Sequence, residues 1–261
     1  MKADNFSLPR YVERLGYHGP LAADSATLTA LMRHQLFAVP FENLDVQARR
    51  HVSLVPEAIV EKIVERRRGG YCYEVNGLFA MALDALGIPY RFVAARPMFY
   101  PVRRPKTHMA VVATVDGADW LCDLGFGSYG IRAPMRLDRL GIEIAQDADT
   151  FRLDEAGADG YLLRALVNGE WASQYAFDLS PQEWVDFAPA NHLNSTHPDA
   201  VFVQRLVVVR FDSRGRTILF GDSLKTIADG VVTQRTLGRD ETADVLRQTF
   251  GLEAEPEAVA G

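Results

Sequence analysis

The chain has 261 residues, enough for one to two domains at roughly 150 residues each, and its 48% apolar and 24% charged residues suit a globular protein with a substantial core. A net charge of −6 argues against a nucleic-acid partner held on a broad basic surface. No apolar run approaches the ~20 residues that span a bilayer, the N-terminal stretch has no signal-like segment, and two cysteines, Cys72 and Cys122, make no disulfide framework, so a cytoplasmic protein without membrane or nucleic-acid partners is expected.

The first third reads as helical. Ser25 precedes Leu28, Leu31, Met32, Leu36 and Phe37 at helical spacing. Pro56 opens a second helix through Arg67, with Ile59, Val60, Ile63 and Val64 on one stripe and Arg66, Arg67 and Arg68 crowding its negative end. Gly69-Gly70 stops it. A third helix starts near Cys72, turns Val75, Leu78, Phe79, Ala82, Leu83 and Leu86 inward, and ends at Gly87.

From Ile88 the period changes to two. Strands are expected at Tyr90 to Ala95, His108 to Val115, Trp120 to Asp123, Tyr161 to Val167 and Trp171 to Phe177. Asp116-Gly117 and Asn168-Gly169 mark tight hairpin turns, because both pairs tolerate positive φ. A short helical piece follows Pro181 and ends before His197-Pro198. Further strands are expected at Val201 to Phe211, Thr217 to Phe220, Leu224 to Ile227 and Val231 to Thr236, then a helix from Glu241 to Phe250 closed by Gly251. Helices followed by strands read as α+β rather than alternating βαβ units.

Three positions carry chemistry. Cys72 stands in the first turn of a helix, where exposed amides favour a thiolate; a buried, inert filler is the bland alternative. A two-residue turn at Asp116-Gly117 sets Val115 opposite Ala118, Ala110 opposite Asp123 and His108 opposite Gly125. His108 and Asp123 then share a face as diagonal neighbours, with alpha carbons roughly 7–8 Å apart. A satisfied core histidine is again the bland alternative. Together the three supply a nucleophile, a base and an orienter of that base, the logic of a Cys–His–Asp triad.

Five stretches occur in an order and spacing that resemble the arylamine N-acetyltransferase family, of bacterial type, over nearly the whole chain. They are Val39-Pro40-Phe41-Glu42-Asn43-Leu44, Arg68 to Asn76, Thr107-His108-Met109, Asp123-Leu124-Gly125-Phe126-Gly127 and Asn194-Ser195-Thr196-His197-Pro198. The resemblance implies a helical bundle over residues 1–87, a central β-barrel over 88–195 and a C-terminal α/β lid over 196–261, around a cysteine-protease-like core. It implies a ping-pong reaction in which acetyl-CoA, the co-substrate, acetylates Cys72, and the acetyl group passes to an arylamine, hydrazine or N-hydroxyarylamine. The family's catalytic residues fall on Cys72, His108 and Asp123, and an Arg–Glu tie within the bundle falls on Arg68 and Glu42.

Gly125-Phe126-Gly127-Ser128-Tyr129-Gly130 spells a dinucleotide fingerprint, but Pro134 forbids the helix that should follow, so a Rossmann site is rejected. The family uses this loop beside coenzyme A, which makes Gly125, Gly127, Ser128 and Gly130 candidates for cofactor contacts through backbone amides. Phe41, Phe126 and Phe202, the last expected on a strand, are candidates for the acceptor pocket. Arg103, Arg104 and Lys106 read as a solvated loop that could meet phosphates. Cys122 should face away from the triad. The remaining histidines show no ligand spacing, so no metal is expected. Partners are therefore acetyl-CoA and small aromatic amines or hydrazines, in a monomer or homodimer. A rival within the same architecture is an amide synthase of natural-product assembly, and a more distant one is a papain- or transglutaminase-like cysteine hydrolase.

Overall fold

The computed structural model describes residues 1–127, 129–157, 160–238 and 240–253. The helical part comprises α1 (Leu8–Leu15), α2 (Ser25–Ala38), α3 (Leu44–Gln47), α4 (Pro56–Val60, continued by a π-turn over Glu61–Glu65) and α5 (Cys72–Ala85), with a short strand β1 (Phe41–Glu42) between α2 and α3. Asp24 caps α2 by accepting from the Thr27 amide at 2.7 Å. Helix α5 is buried on every side from Cys72 to Leu83 and lies against the face of the main sheet. A helix buried all round belongs in a core, and this one carries the predicted nucleophile into it together with the polar Glu74 and Asn76.

Strands β2 (Tyr90–Pro97), β3 (His108–Val115), β4 (Ala118–Cys122), β5 (Met135–Arg136), β6 (Ile144–Gln146), β7 (Asp149–Glu155), β8 (Gly160–Val167) and β9 (Glu170–Asp178) form one antiparallel sheet in the order β5-β4-β3-β2-β9-β8-β7-β6. The expected barrel is therefore an open, curled eight-stranded sheet, with no pairing between β5 and β6 among the described residues. The β3–β4 register pairs Val115 with Ala118 and Val111 with Cys122, as the two-residue turn requires, and Asp116 and Gly117 both have positive φ.

After a 3-10 turn (Trp184–Phe187) come α6 (Ala188–Thr196), α7 (Val201–Gln204), β10 (Val207–Asp212), β11 (Gly215–Phe220), β12 (Ser223–Ala228), β13 (Val231–Thr236) and α8 (Glu241–Val245, continued to Phe250). The strand expected over Val201 to Phe211 is two elements. Asn43 Nδ2 donates to the Phe202 and Arg205 carbonyls at 2.7 and 2.9 Å, and Gln47 Nε2 donates to Phe202 at 2.7 Å. Those carbonyls are thereby taken out of strand pairing, and pairing begins only at Val207. Phe202 accordingly lies on a helical turn, not on a strand.

The last four strands join β1 in a second sheet, β1-β10-β11-β12-β13, so a strand from the N-terminal third is paired with the C-terminal meander. Under that sheet Leu206, Val208, Leu219, Leu246 and Phe250 form a core separate from the main one. Arg132 and Arg216, both buried, share Asp149. Arg216 Nη1 reaches it at 2.7 Å, while Arg132 also donates to the Asp212 carbonyl at 3.0 Å, which ties the large sheet to the small one.

Candidate active site

The Arg68–Gly69–Gly70 turn ahead of α5 is shaped by close backbone approach. A β-carbon on Gly69 would lie 2.0 Å from the Pro40 carbonyl oxygen, so no other residue fits there. Glu74 then caps the helix, accepting from the Tyr71 amide at 3.0 Å. Lys62, buried beneath this turn, ion-pairs with Glu74 and Asp45 at 2.6 Å each, and Arg68 pairs with Glu42 at 2.8 Å. Burial works against the Lys62 ammonium, yet Glu74, Glu42 and Asp45 hold its pKa above the ordinary value. The expected Arg68–Glu42 tie is present as one edge of a larger buried charge network.

His108 and Asp123 meet at 2.8 Å, Nε2 to Oδ2. The other carboxylate oxygen accepts from the Gly125 amide at 2.9 Å and from Asn76 Nδ2 at 3.2 Å. Burial disfavours the Asp123 carboxylate, but the imidazole charge and these donors outweigh it and hold its pKa below the ordinary range. For His108, burial disfavours the cation. Asp123 outweighs that, helped by hydrogen bonding to the Cys72 sulfur, and the imidazole pKa is pushed up to about 10. With Nε2 committed to Asp123, Nδ1 is the ring nitrogen left for the thiol.

Asn76 was not singled out by sequence reasoning. It stands four residues after Cys72 on the same helix, donates also to the Met109 carbonyl at 2.7 Å and accepts from the Leu124 amide at 2.9 Å. The i, i+4 spacing from Cys72 was the signal available for it. Tyr175 is the other omission: its ring lies 4.9 Å from the imidazole.

Cys72, His108 and Gly125 line a cleft of about 680 Å³, and Phe41, Phe126 and Phe202 line it as well. Phe41 and Phe202 sit 5.7 Å apart, and Phe126 packs 5.2 Å from His108. The site thus joins an imidazole–carboxylate pair, a thiol and an apolar, aromatic-walled cavity, which suits acyl chemistry on a flat acceptor.

The N-acetyltransferase family model matches residues 24–259. An arylamine N-acetyltransferase of Mycolicibacterium smegmatis is 34% identical over 221 residues, covering 80% of each chain. The chain belongs to the arylamine N-acetyltransferase family. It is an acetyltransferase, and solved structures of the family superpose on it closely. The Nocardia farcinica arylamine N-acetyltransferase is 35% identical with a TM-score of 0.91, over 98% of this chain and 92% of that one. The Mycobacterium marinum arylamine N-acetyltransferase in complex with CoA is 33% identical with a TM-score of 0.89, over 94% and 92%.

Within this arylamine N-acetyltransferase family fold, the described glycines of the glycine-rich loop do not all line the cleft. The Gly125 amide is already committed to Asp123, and a β-carbon there would lie 2.4 Å from the Cys72 Cα. Gly127 lines the cleft, where a β-carbon would touch the Phe41 ring at 3.1 Å. Gly130 is not among the cleft-lining residues; its β-carbon would strike the Phe126 carbonyl oxygen at 2.6 Å. Ser128 lies outside the described residues. The loop 103–106 is not uniformly solvated either. Lys106 pairs with Asp178 at 2.7 Å, Arg103 is exposed, and Arg104 lines the cleft. Cys122 is buried and is not among the cleft-lining residues, and burial pushes its thiol pKa up. No helix among the described residues is long and apolar enough to cross a membrane.

Proposed function

We propose that this chain moves an acetyl group from acetyl-CoA to arylamines, hydrazines or N-hydroxyarylamines by way of an acetyl-Cys72 thioester. The observation that carries the reading is the buried His108–Asp123 pair at 2.8 Å, whose imidazole lines the cleft that Cys72 also lines. An imidazole held cationic beside a thiol favours the thiolate. In the first half-reaction the Cys72 sulfur attacks the thioester carbonyl, the bond from that carbon to coenzyme A breaks, and His108 returns its proton to the departing sulfur. In the second, the amine nitrogen attacks the acetyl carbon and gives one proton to His108. The carbon–sulfur bond to Cys72 breaks, and the thiolate–imidazolium pair is restored.

Phe41, Phe126 and Phe202 would stack on the acceptor ring. Gly127 is the cleft-lining glycine of this stretch whose amide is not committed to Asp123, and there the donor would pass. In this reading residues 1–87 form a bundle that supplies Cys72, 88–195 a sheet unit that supplies His108 and Asp123, and 196–261 a lid. Initial velocities with acetyl-CoA and an aromatic amine both varied should give parallel double-reciprocal lines. Intersecting lines would contradict the covalent intermediate.

A further inference from the structure

The cleft wall contains one Lys or Arg among the described residues, Arg104. Its guanidinium lies over the Tyr100 ring at 4.7 Å from the centroid, and it makes no ion pair or hydrogen bond among the described residues. Its Nε is buried with no partner. The one carboxylate of the cleft wall, Asp199, is exposed and does not pair with it. Of the other cations nearby, Lys106 holds Asp178 at 2.7 Å, Arg96 donates to the Arg104 carbonyl, and Arg103 is exposed and is not among the cleft-lining residues. The Arg96 and Lys106 contacts anchor the segment at Arg104 itself and two residues beyond it. Pro97, Pro101 and Pro105 stiffen the segment from Arg96 to Lys106. Phe99 and Tyr100 pack with centroids 4.4 Å apart and planes tilted by 33°, and this aromatic ledge presents the Tyr100 face to the guanidinium. A buried donor without an acceptor costs free energy, and an oxyanion is the ligand that a preorganised guanidinium takes best.

We infer that Arg104 is the anion-recognising residue of this cleft, binding an oxyanion carried by one of the two substrates. The inference rests on the acetyl-transfer reading and deepens it: the ligand is either a carboxylate on the far side of an aromatic amine or a phosphate of coenzyme A. The aromatic ledge suits both, since each ligand presents a flat ring near an anionic group. A protein with net charge −6 offers such a ligand no general attraction, which leaves recognition to a local cation.

Equilibrium binding tests this without any need for turnover. Dissociation constants are measured for coenzyme A, 4-aminobenzoate and the neutral 4-aminobenzamide with the wild-type protein, Arg104→Gln and Arg104→Lys. Loss of a charge-assisted contact weakens binding on the order of 10- to 100-fold. Arg104→Gln is expected to weaken one anionic ligand by at least about tenfold relative to 4-aminobenzamide, and Arg104→Lys to restore part of it. Weakening confined to 4-aminobenzoate assigns the carboxylate of the acceptor, and weakening confined to coenzyme A assigns the donor phosphate. Equal affinities of both anions for wild type and Arg104→Gln, with matching thermal melts, would overturn the inference. Acetylation of 4-aminobenzamide by the wild-type protein is read separately. Its absence would count against the acetyl-transfer reading and leave the binding result standing.

Discussion

Asp123 has two tasks that one carboxylate can perform because its oxygens face different partners. Oδ2 holds the imidazole, while Oδ1 is fixed by Gly125 and Asn76. The pKa shifts set the pH window in which this arrangement stabilises the fold. His108 is raised, so its contribution is complete below about 6.5, the unfolded value, and is lost as pH rises through about 10. Asp123 is lowered, so its contribution is complete above its unfolded value of about 3.9 and is lost as pH falls further. Asp123→Asn removes the charge that raises His108. It should cut acetyl transfer on the order of 10²-fold or more and move the alkaline fall of the melting temperature to lower pH. A folded variant with near-normal turnover and an unmoved alkaline limb would contradict this role. The pairing of His108 with Asp123 was legible in the sequence because a two-residue turn fixes strand parity. Asn76 was not, since its three partners come from β3 and from the loop after β4, and only the tertiary fold brings them to one helix face.

At the scale of elements, α5 and the loop after β4 act as two halves of a joint. Their contact is so close that Gly125 leaves no room for a side chain beside the Cys72 Cα. Gly125→Ala must push the loop or the helix start aside, and displacements of about 1 Å cost reaction rates on the order of 10²-fold. Acetyl transfer and iodoacetamide labelling of Cys72 should both fall by at least about tenfold in that variant. Wild-type rates of both would show that the joint tolerates a methyl group. The elements that sequence reasoning missed have physical reasons of their own. In α1 the inward stripe is interrupted by Arg14, whose guanidinium is buried because it donates to the Ile63 and Ala38 carbonyls, so the apolar period is broken. Strands β1, β5 and β6 span two or three residues each, too short to display an alternation. Val201 to Val203 is apolar with two β-branched valines, yet Asn43 and Gln47 claim the carbonyls that a strand would have used.

Across the whole molecule, the cleft exists because three regions of the chain converge on it. Cys72 comes from the buried helix, His108 and Gly125 from the large sheet and its following loop, and Phe202 and Ile218 from the C-terminal part. The broad succession of helices followed by strands was readable from periodicity, and so was the α+β character, although β7 (Asp149–Glu155) was missed. Closure was not readable, because it depends on the β1–β10 pairing and on the Asp149 tie between two buried arginines, of which Arg216 lies 67 positions away in sequence. That convergence gives a single thiol access to an imidazole, while Cys122 is sealed in the sheet. The central claim is that Cys72 carries the acetyl group between substrates, and intact-protein mass spectrometry with peptide mapping tests it most directly. After incubation with acetyl-CoA and no acceptor, the chain should gain one acetyl group, located on Cys72 and discharged when an aromatic amine is added. An acetyl group on Cys122, one that survives the amine, or none on either thiol would contradict it.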